Sequence, residues 1–244
     1  MKKGRYIFLF LCLLLIAATT FIYAKSRQTT ADSRFVYYVV DPKKQEIKLY
    51  YKDSKGNNFG SIKKLVEWGI KHKQPLLFAT NGGMYKPDHS PLGLFIQNKK
   101  NISKLNTANG GGNFYLKPNG IFYITVANIA SICLTEDFVN KDNIKYATQS
   151  GPMLIINGRI HPAFQQGSVN LNIRSGVGIL PNNKVLFAMS KTPVSFYDIA
   201  AYFKAMGCKN ALYLDGFVSR TYLPEKKWVQ TDGDFGVIIG VTQK

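Results

Sequence analysis

The apolar runs of this chain are short, and nearly all are closed by Gly, Pro, Asn or Ser. Short runs rich in aromatic and β-branched residues and bounded by turn residues read as strands. Residues 35–40 and 46–51 are of this kind, and with Asp41-Pro42-Lys43-Lys44 between them they read as a hairpin. Residues 75–80 read as a buried strand running into Asn81-Gly82-Gly83. Further strands are expected over 92–97, 113–116, 120–126 and 145–149. Residues 153–156 and 159–161 flank Asn157-Gly158, and 177–180 and 184–190 flank Pro181-Asn182-Asn183, both hairpin signals. A strand over 211–214 ends at Asp215-Gly216, and 235–241 is the last. Two segments have helical periodicity instead. Ser61 caps the first, through about His72, with Ile62, Leu65, Val66 and Trp68 on its apolar face. Ser195 caps the second, Asp198 completes a capping box, and Gly207 ends it after a stripe of Ile199, Ala200, Tyr202, Phe203 and Met206. The expected fold is α+β: a mixed, largely antiparallel β-sheet with a few packed helices, in a single domain over 34–244.

The N-terminus has a different character. Lys2, Lys3 and Arg5 precede an apolar run that ends near Ala24. Residues 1–24 therefore read as an export signal peptide or, kept in place, an N-terminal membrane anchor that would tether the chain. Cys12 lies inside the run rather than closing it, against a lipid-modified cysteine. Residues 25–33 are polar and read as a linker. The formal charge is +18, and the N-terminal segment carries only three of the positive charges. The remainder is strongly basic, which favours anionic partners. An exported chain does not meet nucleic acid, so the expected localisation is the periplasm or cell surface, secreted or anchored, and the expected anionic partner is an envelope polymer. Beyond the N-terminal segment only Cys133 and Cys208 remain. They can pair in an oxidising compartment or stay as buried thiols. Neither adjoins a His, and there is no C-x-x-C, so a zinc site or a thiol nucleophile has no support.

Four segments share one form, an apolar strand running into or out of Gly and small polar residues. They are Phe78 to Gly83, Ala147 to Pro152, Asn172 to Gly178 and Tyr213 to Ser219. Any one of them can be simply a turn. Together they bring Asn81, Ser150, Arg174 and Asp215 to strand ends, where glycines let a ligand approach the backbone and free N–H groups can receive an anion.

These segments also carry a resemblance. Asn81-Gly82-Gly83-Met84-Tyr85 with Pro91-Leu92-Gly93, Ser150-Gly151-Pro152, Arg174-Ser175-Gly176-Val177-Gly178, and Leu214-Asp215-Gly216 with Ser219 occur in this order. The set resembles the phosphodiester glycosidase domain family (uncovering-enzyme-like) from about Phe35 to the C-terminus. The resemblance implies a hydrolase that cleaves a glycosyl–phosphate linkage in an envelope glycan or related metabolite, with a glycan or sugar phosphate as substrate. Family members commonly read Asp-Gly-Gly-Gly-Ser where this chain has Asp215-Gly216-Phe217-Val218-Ser219.

The residues supply a compatible chemistry. A sugar phosphate is already a good leaving group, so the site needs a carboxylate for water or the anomeric carbon, with cations and N–H donors for the phosphate. Asp215, Arg174 and Asn81 are the expected catalytic residues, Arg174 as a planar fork for phosphate oxygens. Gly82, Gly83, Ser150, Gly151, Ser175, Gly216, Ser219 and His89 are the expected substrate-binding residues. No cofactor is expected; Asp232 and Asp234 are the one pair that could hold a divalent cation, and they also fit a turn before the last strand. The alternative function is a non-catalytic binding protein of the same fold that docks on anionic cell-envelope polymer.

Overall fold

Why the 35–51 segment fails to close into a hairpin explains much of the architecture. The computed structural model describes residues 32–244; the expected signal or anchor over 1–24 and most of the 25–33 linker lie outside the described residues. In chain order the first eight strands are β1 (Phe35–Val40), β2 (Gln45–Tyr50), β3 (Leu76–Asn81), β4 (Phe95–Gln97), β5 (Lys100–Ser103), β6 (Gly120–Thr125), β7 (Ala130–Leu134) and β8 (Ile144–Ser150). The other eight are β9 (Met153–Ile156), β10 (Arg159–Ile160), β11 (Ser175–Ile179), β12 (Val185–Ser190), β13 (Asn210–Tyr213), β14 (Thr221–Leu223), β15 (Trp228–Val229) and β16 (Ile238–Gln243). The turn after β1 does form, with Gln45 N–H bonded to the Asp41 carbonyl at 2.9 Å. Yet β1 pairs with β12 and β2 with β16, in different sheets. Each strand finds an apolar partner far along the chain, and the turn becomes a corner between sheets. The Gln45 side chain braces it, donating to the Tyr38 hydroxyl at 2.6 Å and accepting from the Asp41 N–H at 3.1 Å.

Three antiparallel sheets result, in the orders β1-β12-β11-β13-β9-β10, β15-β14-β3-β16-β2 and β5-β4-β8-β6-β7. Ser33–Lys244 form one compact unit. Its central core joins the sheets through Val36, Phe78, Phe95, Phe122, Phe187 and Leu212, all buried. Two helices cover outer faces. In α1 (Ile62–Lys71), Ser61 Oγ accepts from the Lys64 N–H, and Ile62 and Leu65 pack against Tyr50, Leu76 and Ile238. In α2 (Phe196–Ala205) the capping box is complete, and Ile199, Ala200 and Phe203 pack on Leu154, Ile155 and Ala211. The class is α+β with β dominating.

The hairpins at 153–161 and 177–190 form as expected, as β9–β10 and β11–β12. Residues 113–115 form a helical turn instead of a strand, with Phe114 buried. Cys133 lies on β7 and Cys208 beyond α2; both are free thiols.

Candidate functional site

All four strand-end segments meet, and each sheet sends at least one. β3 belongs to the second sheet, β8 to the third, and β11 and β13 to the first. Backbone bonds sew their ends together. Leu214 N–H donates to the Ser175 carbonyl at 3.0 Å, Asp215 N–H to Gly82 at 3.2 Å, and Tyr213 N–H to Pro152 at 3.0 Å. At Gly83 a Cβ would collide with Thr148 Oγ1 and the Gln149 carbonyl, so glycine is what lets the β3 end lie against β8.

Asn81 is the hub, with only 1% of its surface exposed. Its Nδ2 donates to the Asp215 carbonyl at 2.6 Å and to Ser175 Oγ at 3.1 Å. Its Oδ1 accepts from Thr80 Oγ1 at 3.2 Å, Ser175 Oγ at 3.2 Å and the Arg220 N–H at 3.3 Å. Ser219 Oγ closes the network by donating to Ser175 Oγ at 3.0 Å. A buried amide with every polar atom bonded is rigid, because each broken bond would strand a polar group away from water. Asn81, Ser175 and Ser219 thus form the floor that fixes the backbone of Asp215. Ser150 and Gly151 are also buried at this junction, and Ser150 Oγ has no hydrogen-bond partner among the described residues.

Arg174 lies behind the floor and is 1% exposed. Its Nε donates to the Val194 carbonyl at 2.9 Å, Nη1 to the Tyr213 hydroxyl at 3.3 Å, and Nη2 to the Asn170 carbonyl and Oδ1 at 3.0 and 3.1 Å. The guanidinium stacks on Phe196, 3.6 Å from the ring centroid. Phe196 in turn stacks on Phe164, and Phe164 on His161. No carboxylate pairs with this cation among the described residues. Burial opposes its charge and the Tyr213 hydroxyl supports it. The planar fork expected from the sequence is therefore engaged by the protein itself.

Asp215 is the half-buried member of the group. Its charge acts on two tyrosines. Tyr213 is pushed up to about 12, by burial first and by the Asp215 charge in addition, against the opposing pull of Arg174. Tyr85 is raised to about 12 by burial, then by Asp215 and Asp234. Both therefore stay protonated near neutral pH; the Tyr85 proton goes to the Asp234 carbonyl, whereas the Tyr213 hydroxyl accepts from Arg174 and keeps its own proton to give. Gly216 follows without a side chain because a Cβ there would run into the Tyr213 hydroxyl.

The rim is built by two loops. His89 Nε2 bonds Asp234 Oδ1 at 2.7 Å, and its ring stacks on Tyr85, whose hydroxyl donates to the Asp234 carbonyl. Arg220 Nε bonds both oxygens of Asp232, at 2.9 and 2.8 Å. Asp232 and Asp234 thus turn to different partners, and among the described residues no three His, Cys, Asp or Glu side chains gather as metal ligands. A cavity of about 530 Å³, lined by Thr107, Lys117, Asn119 and Glu136 among others, shares no lining residue with this cluster. Tyr85, Tyr213 and Arg220 were not expected as site residues. Tyr85 stands inside the Asn81–Tyr85 motif, Tyr213 reads as an ordinary core aromatic, and Arg220 reads as surface charge.

The phosphodiester glycosidase family model matches residues 75–237, from the start of the β3 region to the approach to β16. The uncharacterized protein YigE of Escherichia coli (strain K12) is 36% identical over 187 residues, which span 76% of this chain and 73% of that protein. The catalytic domain of zebrafish N-acetylglucosamine-1-phosphodiester alpha-N-acetylglucosaminidase, auto-inhibited by pro-peptide, superposes with a TM-score of 0.59 at 14% identity, covering 89% of this chain and 86% of that one. A candidate exported protein from Burkholderia pseudomallei K96243 superposes with a TM-score of 0.53 at 10% identity, covering 85% and 73%. At such identities the structural likeness speaks for the fold. The family match contains Asn81, Ser150, Arg174 and Asp215, the residues that the fold brings to one place, and the chain belongs to the phosphodiester glycosidase family.

Proposed function

We propose that this chain hydrolyses a glycosyl–phosphate linkage, with Asp215 as the carboxylate that activates water or attacks the anomeric carbon. The observation that carries the reading is the fixation of Asp215. Its carbonyl is held by Asn81 and its N–H by Gly82, while the residue itself stays half-exposed where three sheets end. Such preorganisation is what a reacting group needs, since reorganisation at the moment of reaction is avoided. The phosphate leaving group lowers the demand for a strong general acid. The buried charge of Arg174, with no carboxylate paired to it among the described residues, favours an anion over the floor, and the Tyr213 hydroxyl adds a neutral donor.

Family membership supports the same class, and the zebrafish enzyme's name describes a sugar-1-phosphodiester substrate for that protein. The substrate we propose is a glycan or sugar-phosphate diester of the cell envelope. Export is supported by the basic and apolar pattern of residues 1–24, and the surplus of Lys and Arg suits an anionic envelope polymer. Among the described residues no helix is long and apolar enough to cross a membrane. The test is to incubate the purified protein with a panel of sugar-1-phosphate diesters and with neutral aryl glycosides of the same sugars. Release of free sugar from at least one diester, with far slower cleavage of the matching neutral glycoside, is expected. A protein that binds anionic envelope polymer and cleaves none of the diesters would contradict the reading.

A further inference from the structure

Two arginines reach this site, and they differ in what they can offer a substrate. Arg174 is 1% exposed and spends four of its five N–H groups on Val194, Tyr213 and Asn170. Arg220, directly after Ser219, has 37% of its side chain exposed. Its Nε lies between the two Asp232 oxygens, and one Nη1 proton goes to the Ser219 carbonyl at 2.9 Å. The remaining three N–H groups make no hydrogen bond among the described residues. The Arg220 backbone N–H is held by Asn81 Oδ1 at 3.3 Å, so the residue hangs from the hub that also holds Asp215.

We propose that Arg220 is the residue that contacts the substrate phosphate, and that Asp232 is its positioning residue; the inference rests on the glycosyl-phosphodiester reading above. A guanidinium has two faces for oxyanions, the Nε edge and the Nη1/Nη2 edge. Asp232 occupies the first and so fixes the plane in which the second is presented. Its neighbour Asp234 holds His89 in the same way across the Asp232-Gly233-Asp234 turn, so one acidic turn braces both sides of the rim. The charges near the phosphate position are then Arg220 and Arg174 against Asp215, Asp232 and Asp234. The side chains of Asp232 and Asp234 are 64% and 80% exposed, where water and salt screen their repulsion of an anion.

The experiment separates positioning from charge. Inorganic phosphate is titrated into the folded full domain by calorimetry, and KM and kcat are measured on the best diester. Arg220→Gln should weaken phosphate binding and raise KM by at least ~10-fold, and Arg220→Lys should recover only part because it lacks the fork. Asp232→Asn removes a negative charge, so electrostatics alone predicts tighter phosphate binding; a positioning role predicts weakening by roughly 3- to 10-fold with a smaller change in kcat. Tighter binding in Asp232→Asn, unchanged phosphate affinity in Arg220→Gln, or a parent protein that binds no phosphate would each overturn the proposal. A parent that binds phosphate through Arg220 but cleaves no diester would leave this assignment standing and remove the glycosidase reading instead.

Discussion

Replacing Asn81 by alanine cuts the knot that joins the site to the fold, and the cost can be worked from the bonds present. The side chain takes part in five hydrogen bonds, between 2.6 and 3.3 Å long. Two of its neighbours have other partners: Ser175 Oγ keeps Ser219 Oγ at 3.0 Å, and Thr80 Oγ1 keeps the Arg220 carbonyl at 3.0 Å. The Asp215 carbonyl and the Arg220 N–H lose the bond that the amide gave them. A buried polar group left without a partner costs about 1–3 kcal/mol, and the 3.3 Å contact belongs at the low end, so Asn81→Ala should lose about 2–4 kcal/mol. For a domain of this size each kcal/mol moves Tm by about 2–4 °C, which puts the melting point roughly 4–16 °C below the parent. Thermal melts and urea titrations of the two proteins side by side supply the number. The residual activity, corrected for folded fraction, should fall as well, because the Asp215 carbonyl has lost its tether. A variant that melts within about 2 °C of the parent would show that the network is not what fixes this backbone.

The buried histidine makes stability depend on pH. His161 is 2% exposed, accepts the Ala163 N–H on Nδ1 at 3.1 Å and donates from Nε2 to the Lys117 carbonyl at 3.2 Å, and burial lowers its pKa from 6.5. The unfolded chain therefore takes up a proton that the folded chain refuses, and stability should fall as pH drops below about 6.5; melts at successive pH values should show a smaller fall for His161→Gln, and equal slopes would refute the assignment. Burial pushes the Cys133 thiol up to about 11 and Cys208 to about 12, so both should alkylate slowly in the native protein at pH 8 and completely once unfolded without reductant, whereas a Cys133–Cys208 linked peptide in the map would contradict the free thiols.

What could be read from residue order was whatever depends on near neighbours. The Ser195–Asp198 capping box and the Gly-punctuated ends at Asn81, Ser150, Arg174 and Asp215 are local signals, and each lies where local chemistry places it. Pairing depends on distant partners, so the strong turn at Asp41-Pro42 suggested a hairpin although β1 and β2 belong to different sheets. β5 and β15 are short edge strands with little apolar pattern to announce them. The same limit applies in the site. Asn170 and Val194 reach Arg174 from two loops and Phe196 from the first turn of α2, and nothing near Arg174 in sequence shows that its fork is already filled. Asp232 reads, with Asp234, as a pair that could hold a cation or form a turn, and nothing in residue order shows its pairing with Arg220, twelve residues earlier.

The central claim is that Asp215 does chemistry, and one substitution tests it most directly. Asp215→Asn keeps the side-chain shape and both backbone bonds, to Asn81 and Gly82, but removes the charge and the basicity. The measurement is kcat on the best sugar-1-phosphate diester, with a melt to show that the fold is intact. Loss of a general base or nucleophile should lower kcat by at least ~10²–10⁴-fold, with Tm close to the parent's. An active parent whose Asp215→Asn variant folds and turns over normally would take Asp215 out of the mechanism.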